Sequence, residues 1–168
     1  MNQIEYVADS DWLQQLNQNR ICAFVDLDIH GTAICNFHCD YCYVWRRSGF
    51  QESKIISTHS VREIRNGLSQ KRLGGICFIN MCARGETLLA ENIVELVYEL
   101  IDEGHYVSVI TNGTVTDNIK RITEFPIEFQ KKMFFKLSFH YLELKKRNLF
   151  DVFWSNVQRI KESGCSYT

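Results

Sequence analysis

A strand pattern followed by a helix pattern recurs four times along this chain, and that alternation constrains the fold more than any other feature. Residues 21–29 read as the first strand, with Val25, Leu27 and Ile29 on one side and Asp26 and Asp28 on the other. Ser60, Val61, Arg62 and Glu63 form a capping box, opening a helix whose apolar stripe is Val61, Ile64 and Leu68 and which ends near Gly74 and Gly75. A second strand follows over residues 75–81. The helix over residues 87–102 carries Leu89, Ile93, Leu96, Val97, Leu100 and Ile101 on a 3.6-residue period, and Gly104 stops it. Residues 106–111 are the third strand, followed by Asn112, Gly113 and a helix through Arg121. Residues 132–140 are the fourth strand, and a last helix with Leu149, Phe153, Val157 and Ile160 ends at Gly164. A leading helix is expected over residues 10–19.

Strand–helix units in series imply parallel strands joined by right-handed crossovers, which is an α/β architecture. Four strands are few for a closed barrel, and an open parallel sheet leaves unpaired edges. The expectation is therefore a partial (β/α) TIM-like barrel of about four βα units, truncated where a fifth strand would begin near Gly164. Residues 1–20 would be a helical extension and residues 21–168 the core domain.

Charge narrows the choice of partners. Nineteen Lys and Arg against twenty Asp and Glu leave a net charge of -1, with no clustered basic excess of the kind a nucleic acid demands. Arg46 with Arg47, and Lys145 through Arg147, are short basic runs that read as solvated faces. The first ten residues have neither a basic nor an apolar leader segment, and no stretch approaches the roughly 20 apolar residues of a membrane span. No nucleic acid, no membrane and a cytoplasmic location are the expectations. In a reducing compartment, clustered cysteines point to metal or redox chemistry, and the count of seven is odd, so complete internal pairing is impossible.

Cys35, Cys39 and Cys42 place three thiols within eight residues, on the loop after the first strand. Three thiolates so spaced can converge on one inorganic centre; iron–sulfur clusters are held by Cys thiolates and normally take four, so three leave one iron open. A Cys₃His zinc site including His38 is the alternative, although zinc sites usually come as two separated pairs. Three unrelated buried thiols are a further alternative. Cys22, Cys77, Cys82 and Cys165 lack such spacing and read as buried or incidental, Cys82 bordering the loop after the second strand.

The Cys-x₃-Cys-x₂-Cys spacing, with Tyr41 before the third Cys and Asn36 and Tyr43 flanking, closely resembles the radical S-adenosylmethionine (SAM) superfamily. The resemblance implies a [4Fe-4S] cluster on Cys35, Cys39 and Cys42, and SAM bound through its amino and carboxylate groups to the open iron. It further implies an enzyme of oxidoreductase type: one electron from an external flavodoxin- or ferredoxin-like donor splits SAM to methionine and a 5′-deoxyadenosyl radical. That radical abstracts hydrogen from a small-molecule or peptide substrate that the sequence does not identify. After the second strand, Arg84, Gly85 and Glu86 are similar to the family's Gly-Gly-Glu motif, with Arg84 in place of the first Gly. Glu86 would then hold the SAM amino group, against the alternative of a carboxylate favouring a helix N-terminus. Backbone around Tyr41 would lie near the adenine, or Tyr41 is a core aromatic. Thr111, Asn112 and Gly113 are similar to a common family turn, or serve chain reversal alone. Ser138 and His140 fall where the family often contacts the SAM ribose or carboxylate, or are core residues. Two rival readings remain at this point: a zinc- or cluster-stabilised binding module without turnover, and a catalytically incomplete fragment.

Overall fold

The computed structural model describes residues 20–28, 34–48 and 59–168. The leading helix over residues 10–19, the end of the first strand at Ile29, and His30 lie outside the described residues. Five parallel strands form one sheet in chain order: β1 (Ala23–Asp28), β2 (Cys77–Cys82), β3 (Tyr106–Thr111), β4 (Met133–Leu137) and β5 (Ser166–Tyr167). Between them run α1 (Tyr43–Ser48), α2 (Val61–Gly67), α3 (Gln70–Leu73), a 3₁₀ turn (Thr87–Leu89), α4 (Ile93–Asp102), α5 (Thr116–Thr123), α6 (Ile127–Gln130), α7 (Tyr141–Lys146) and α8 (Phe150–Glu162). Each strand adds beside its predecessor, which is how a β/α barrel begins. The α/β expectation holds with a fifth strand present, because Ser166 pairs with Phe134 and Tyr167 with Phe135.

The two faces of the sheet differ. Ile79, Met81, Val107, Val109, Met133 and Phe135 point to one face and join Val97 and Leu100 of α4, Ile119 and Ile122 of α5, and Ile160 of α8 in the core. Burying each such side chain contributes roughly 1.5–3 kcal/mol. The alternate residues, Phe24, Asp26 and Asp28 on β1 among them, are exposed on the opposite face. Alternation of period two thus separates a packed face from an open one.

Three sequence expectations are corrected in detail. The helix foreseen over residues 87–102 is broken: a 3₁₀ turn covers Thr87–Leu89, and α4 starts only after Asn92, whose φ of 55° leaves the right-handed region. Glu86 causes the early turn, since its side chain accepts from Leu88 N–H. The fourth strand stops at Leu137, so Ser138 and His140 lie beyond it, and His140 occupies the N-cap position of α7 without a side-chain capping bond. The capping box at Ser60 forms both of its bonds, but the helix it opens gives way at Ser69 to α3, which ends at Gly74 in the left-handed conformation (φ 86°).

Candidate functional site

The loop from Ile34 to Cys42 lies at the C-terminal ends of the strands, where parallel α/β folds collect functional groups. A turn bond from Cys42 N–H to the Cys39 carbonyl (2.9 Å) and the start of α1 shape its end. Phe37 is its apolar anchor, 1% exposed, packed with Cys39, Leu144 and Phe153, with Cys35 and Cys42 against the same group. The three thiols therefore border one small hydrophobic nucleus, separate from the main core.

The first contact of this loop with the sheet is backbone on backbone. Glu86 N–H donates to the Ile34 carbonyl at 2.7 Å. A Cβ on Gly85 would lie 1.9 Å from that same oxygen, so only glycine permits the approach. Glu86 itself is 2% exposed. Its Oε1 accepts from Leu88 N–H (3.0 Å) and the Thr111 hydroxyl (2.6 Å), and its Oε2 from Asn112 N–H (2.7 Å). Burial nevertheless holds the carboxyl above the usual carboxylate range, with the bonds from Asn112, Thr111 and Leu88 acting in the opposite direction. Four lone-pair sites less three donors leave one, on Oε2.

The second contact is a closed ring of hydrogen bonds. Asn36 Nδ2 donates to Thr114 Oγ1 (2.9 Å), Thr114 Oγ1 to Asn112 Oδ1 (2.7 Å), and Asn112 Nδ2 to Asn36 Oδ1 (2.7 Å). Each member is both donor and acceptor, so the bonds polarise one another. The turn after β3 thereby acts on the cysteine loop, beyond chain reversal. Gly113 keeps that turn tight at φ 74°, where a Cβ would meet Phe153 at 2.8 Å.

The third contact comes from α7, which sequence periodicity missed because the helix spans six residues. Glu143, 4% exposed, accepts from Arg147 Nε (2.8 Å) and from His38 N–H (3.4 Å). Hydrogen bonding to Arg147 is the main reason its carboxyl is held below the usual range. The Arg147 guanidinium also lies over the Phe37 ring at 5.8 Å. The signal available in the sequence was the i, i+4 spacing of Glu143 and Arg147. Next to it, Tyr41 Oη bonds His140 Nδ1 at 2.7 Å, and the two rings stack. Tyr41 is 56% exposed, so it is no core aromatic. Burial lowers the His140 pKa. Ser138 is half-buried, and its N–H donates to the Thr111 carbonyl (2.8 Å), which keeps it beside the turn after β3.

Electrostatically the loop disfavours free thiolates. Burial pushes the Cys35 thiol up to about 11, against the Phe37 N–H bond to its sulfur (3.4 Å), and burial raises Cys39 as well. Burial also pushes the Tyr41 phenol up to about 12. A cationic centre reverses such a bias by deprotonating the thiols it binds. Among the described residues no group of His, Cys, Asp or Glu side chains is placed to hold a metal ion. His38 faces elsewhere, edge-on to Trp45 at 4.9 Å and with Nδ1 3.1 Å from Arg147 Nη2, so it does not complete a Cys₃His set. A cuboidal cluster takes thiolates at separate corners and needs no single meeting point. Three thiols on one anchored loop, one of them receiving a backbone N–H, fit that group in kind. The remaining cysteines lie apart: Cys22 exposed, Cys77 and Cys165 buried, Cys82 half-buried at the end of β2.

A family model described as the Radical SAM superfamily matches residues 29–168. No curated protein and no solved structure matches the chain.

Proposed function

This chain belongs to the radical SAM superfamily, and we propose that it is an enzyme carrying a [4Fe-4S] cluster on Cys35, Cys39 and Cys42. With SAM and one electron, such a cluster supplies a 5′-deoxyadenosyl radical for hydrogen abstraction. The electron would come from an external flavodoxin- or ferredoxin-like donor. The observation that carries the reading is the anchoring of the three-thiol loop, by Gly85, Glu86, Asn112 and Glu143, to the ends of successive β/α units.

The chain's own residues would divide the work of holding SAM. Glu86 keeps one free acceptor site on Oε2 for the amino group, and Gly85 lets the neighbouring backbone approach. Backbone around Tyr41 would flank the adenine. Ser138 and His140 would meet the ribose or carboxylate; the Tyr41 hydroxyl on Nδ1 leaves the imidazole's Nε2 for that contact. No helix among the described residues is long and apolar enough to cross a membrane, and the cytoplasm is the proposed location.

Anaerobic reconstitution tests the reading. The protein should bind about four iron and four sulfide per chain and, with reductant and SAM, release 5′-deoxyadenosine. Replacing Cys35, Cys39 and Cys42 by Ala should abolish cluster binding, whereas replacing Cys22, Cys77 and Cys165 should not. Equal losses from both sets, or uptake of zinc without iron and sulfide, would sink it. Iron and sulfide binding without 5′-deoxyadenosine would favour a cluster-bearing module instead.

A further inference from the structure

The open face of the sheet bears a cavity of about 540 Å³, within the range of about 300–1,000 Å³ typical of small-molecule sites. None of the three motif cysteines lines it. Its walls are graded by the register of the strands. Toward the N-terminal ends of the strands lies an aromatic floor: Phe24 is paired with Phe78, ring centroids 5.6 Å apart, and Phe78 meets Phe134 at 5.3 Å. One step further along β1 and β2, Asp26 is opposite Asn80, whose Nδ2 fixes the Asp26 carboxylate at 2.8 Å. Asn80 is in turn opposite Ser108, which is 6% exposed, lines the cavity, and has no hydrogen-bond partner for its hydroxyl among the described residues. The Ser108 side chain adds a hydrogen-bonding hydroxyl to the cavity wall.

Charge completes the description. Lys136 lines the cavity from β4, and its ammonium makes no ion pair among the described residues. Asp28, one step above Asp26, faces Arg84 at 3.9 Å. Among the described residues that line the cavity, Asp26 and Lys136 carry the charged side chains. One side-chain carboxylate, held by Asn80, and one ammonium thus face the cavity. An anionic ligand would meet Asp26, and a cationic one would meet Lys136. A zwitterion satisfies both.

We propose that this cavity binds an α-amino acid with a large apolar side chain: the side chain on Phe24, Phe78 and Phe134, the ammonium on Asp26, the carboxylate on Lys136. The Ser108 hydroxyl takes a polar atom of the same ligand. The inference rests on the radical reading for the reaction, giving it a substrate class, but the binding itself does not require a cluster.

Calorimetric titration of the full chain tests it, with L-phenylalanine, N-acetyl-L-phenylalanine, L-phenylalaninamide and glycine as probes. L-phenylalanine should bind with a dissociation constant at or below about 1 mM, and each of the other three about tenfold or more weaker. Asp26→Asn should bind the parent no better than the N-acetyl form while still discriminating against the amide; Lys136→Met should show the converse. Both positions are exposed, so far-UV circular dichroism should match wild type. No binding of L-phenylalanine by about 10 mM, or equal affinity for all four probes, would overturn the proposal, as would unchanged selectivity in both variants. The same preparations are assayed for cluster and for 5′-deoxyadenosine. Turnover of SAM without amino-acid binding overturns this inference alone, and amino-acid binding without iron uptake overturns the radical reading alone.

Discussion

Glu86→Gln exchanges one carboxylate oxygen for an amide nitrogen at nearly constant volume, and the three donors around Glu86 make the consequence calculable. The single remaining oxygen satisfies either the Leu88 and Thr111 side or the Asn112 side. In the first orientation the new amide N–H faces Asn112 N–H. In the second, the Thr111 hydroxyl turns to accept, and Leu88 N–H is orphaned. Either way one buried N–H loses its acceptor, at about 1–3 kcal/mol. Removing a charge that burial disfavours offsets part of this. The expected net loss at pH 7 is about 1–2 kcal/mol, which for a chain of this size lowers the melting temperature by about 2–8 °C. The pH dependence has a definite sign. Because the folded carboxyl titrates above its ordinary value of 4.5, the contribution of Glu86 is fully present below that value and is lost as pH rises through the folded one. Urea unfolding of both proteins from pH 8 to pH 5 should therefore show the advantage of wild type growing on acidification. A variant within about 0.5 kcal/mol of wild type at pH 7, or a gap that narrows toward acid, would refute the buried three-donor arrangement.

Other substitutions probe the remaining anchors. Gly85→Ala forces a methyl against the Ile34 carbonyl and should cost toward the upper end of about 1–3 kcal/mol, with cluster loading lost; a normal melting curve and full iron content would contradict the close approach. Asn36→Ala opens the hydrogen-bonded ring and should shorten the half-life of the bound cluster under a chelator, at a cost of about 1–3 kcal/mol in urea unfolding. Phe37→Ala should cost about 3–5 kcal/mol and release the loop, read as faster alkylation of Cys39 in the apo protein. Glu143→Gln carries the opposite pH signature to Glu86: its carboxyl is held low by Arg147, so its contribution is present above its ordinary value of 4.5 and fades as pH falls through the folded one. The gap to wild type should shrink on acidification, and a growing gap would count against the assignment.

Legibility in the sequence followed the length and period of each element. The four strand–helix units stood out because α4 and α8 carry apolar residues at helical spacing and β1 alternates cleanly. The cysteine loop stood out because thiols are rare and their spacing is local. What stayed hidden was the anchoring of that loop. Glu86 read as the residue for the SAM amino group or as a carboxylate near a helix start; its cap on a 3₁₀ turn and its bond to the turn after β3, a partner 26 residues away, were not legible. Asn112 read as half of an Asn-Gly turn, whereas its side chain reaches Asn36. Tyr41 and His140 were each candidates on their own, and their mutual bond spans 99 residues. Short helices such as α7 give too few turns for periodicity, and Arg147 read only as part of a solvated basic run. Pairings between side chains distant in sequence depend on register and crossover, which no local pattern encodes.

The separations that hold the cysteine loop also set a schedule. Asn36 must wait 76 residues for Asn112, and His38 must wait 105 for Glu143 and 109 for Arg147. At about 5–20 residues per second of synthesis, the thiols leave the ribosome roughly 5 to 20 s before their last support exists. During that interval they are unshielded, and afterwards they lie against Phe37. On the proposed cluster assignment, delivery of iron and sulfide would be tied to the order in which the chain appears, and slowing synthesis between residues 42 and 143 would lengthen the period in which cluster assembly and oxidation compete for the same three sulfurs.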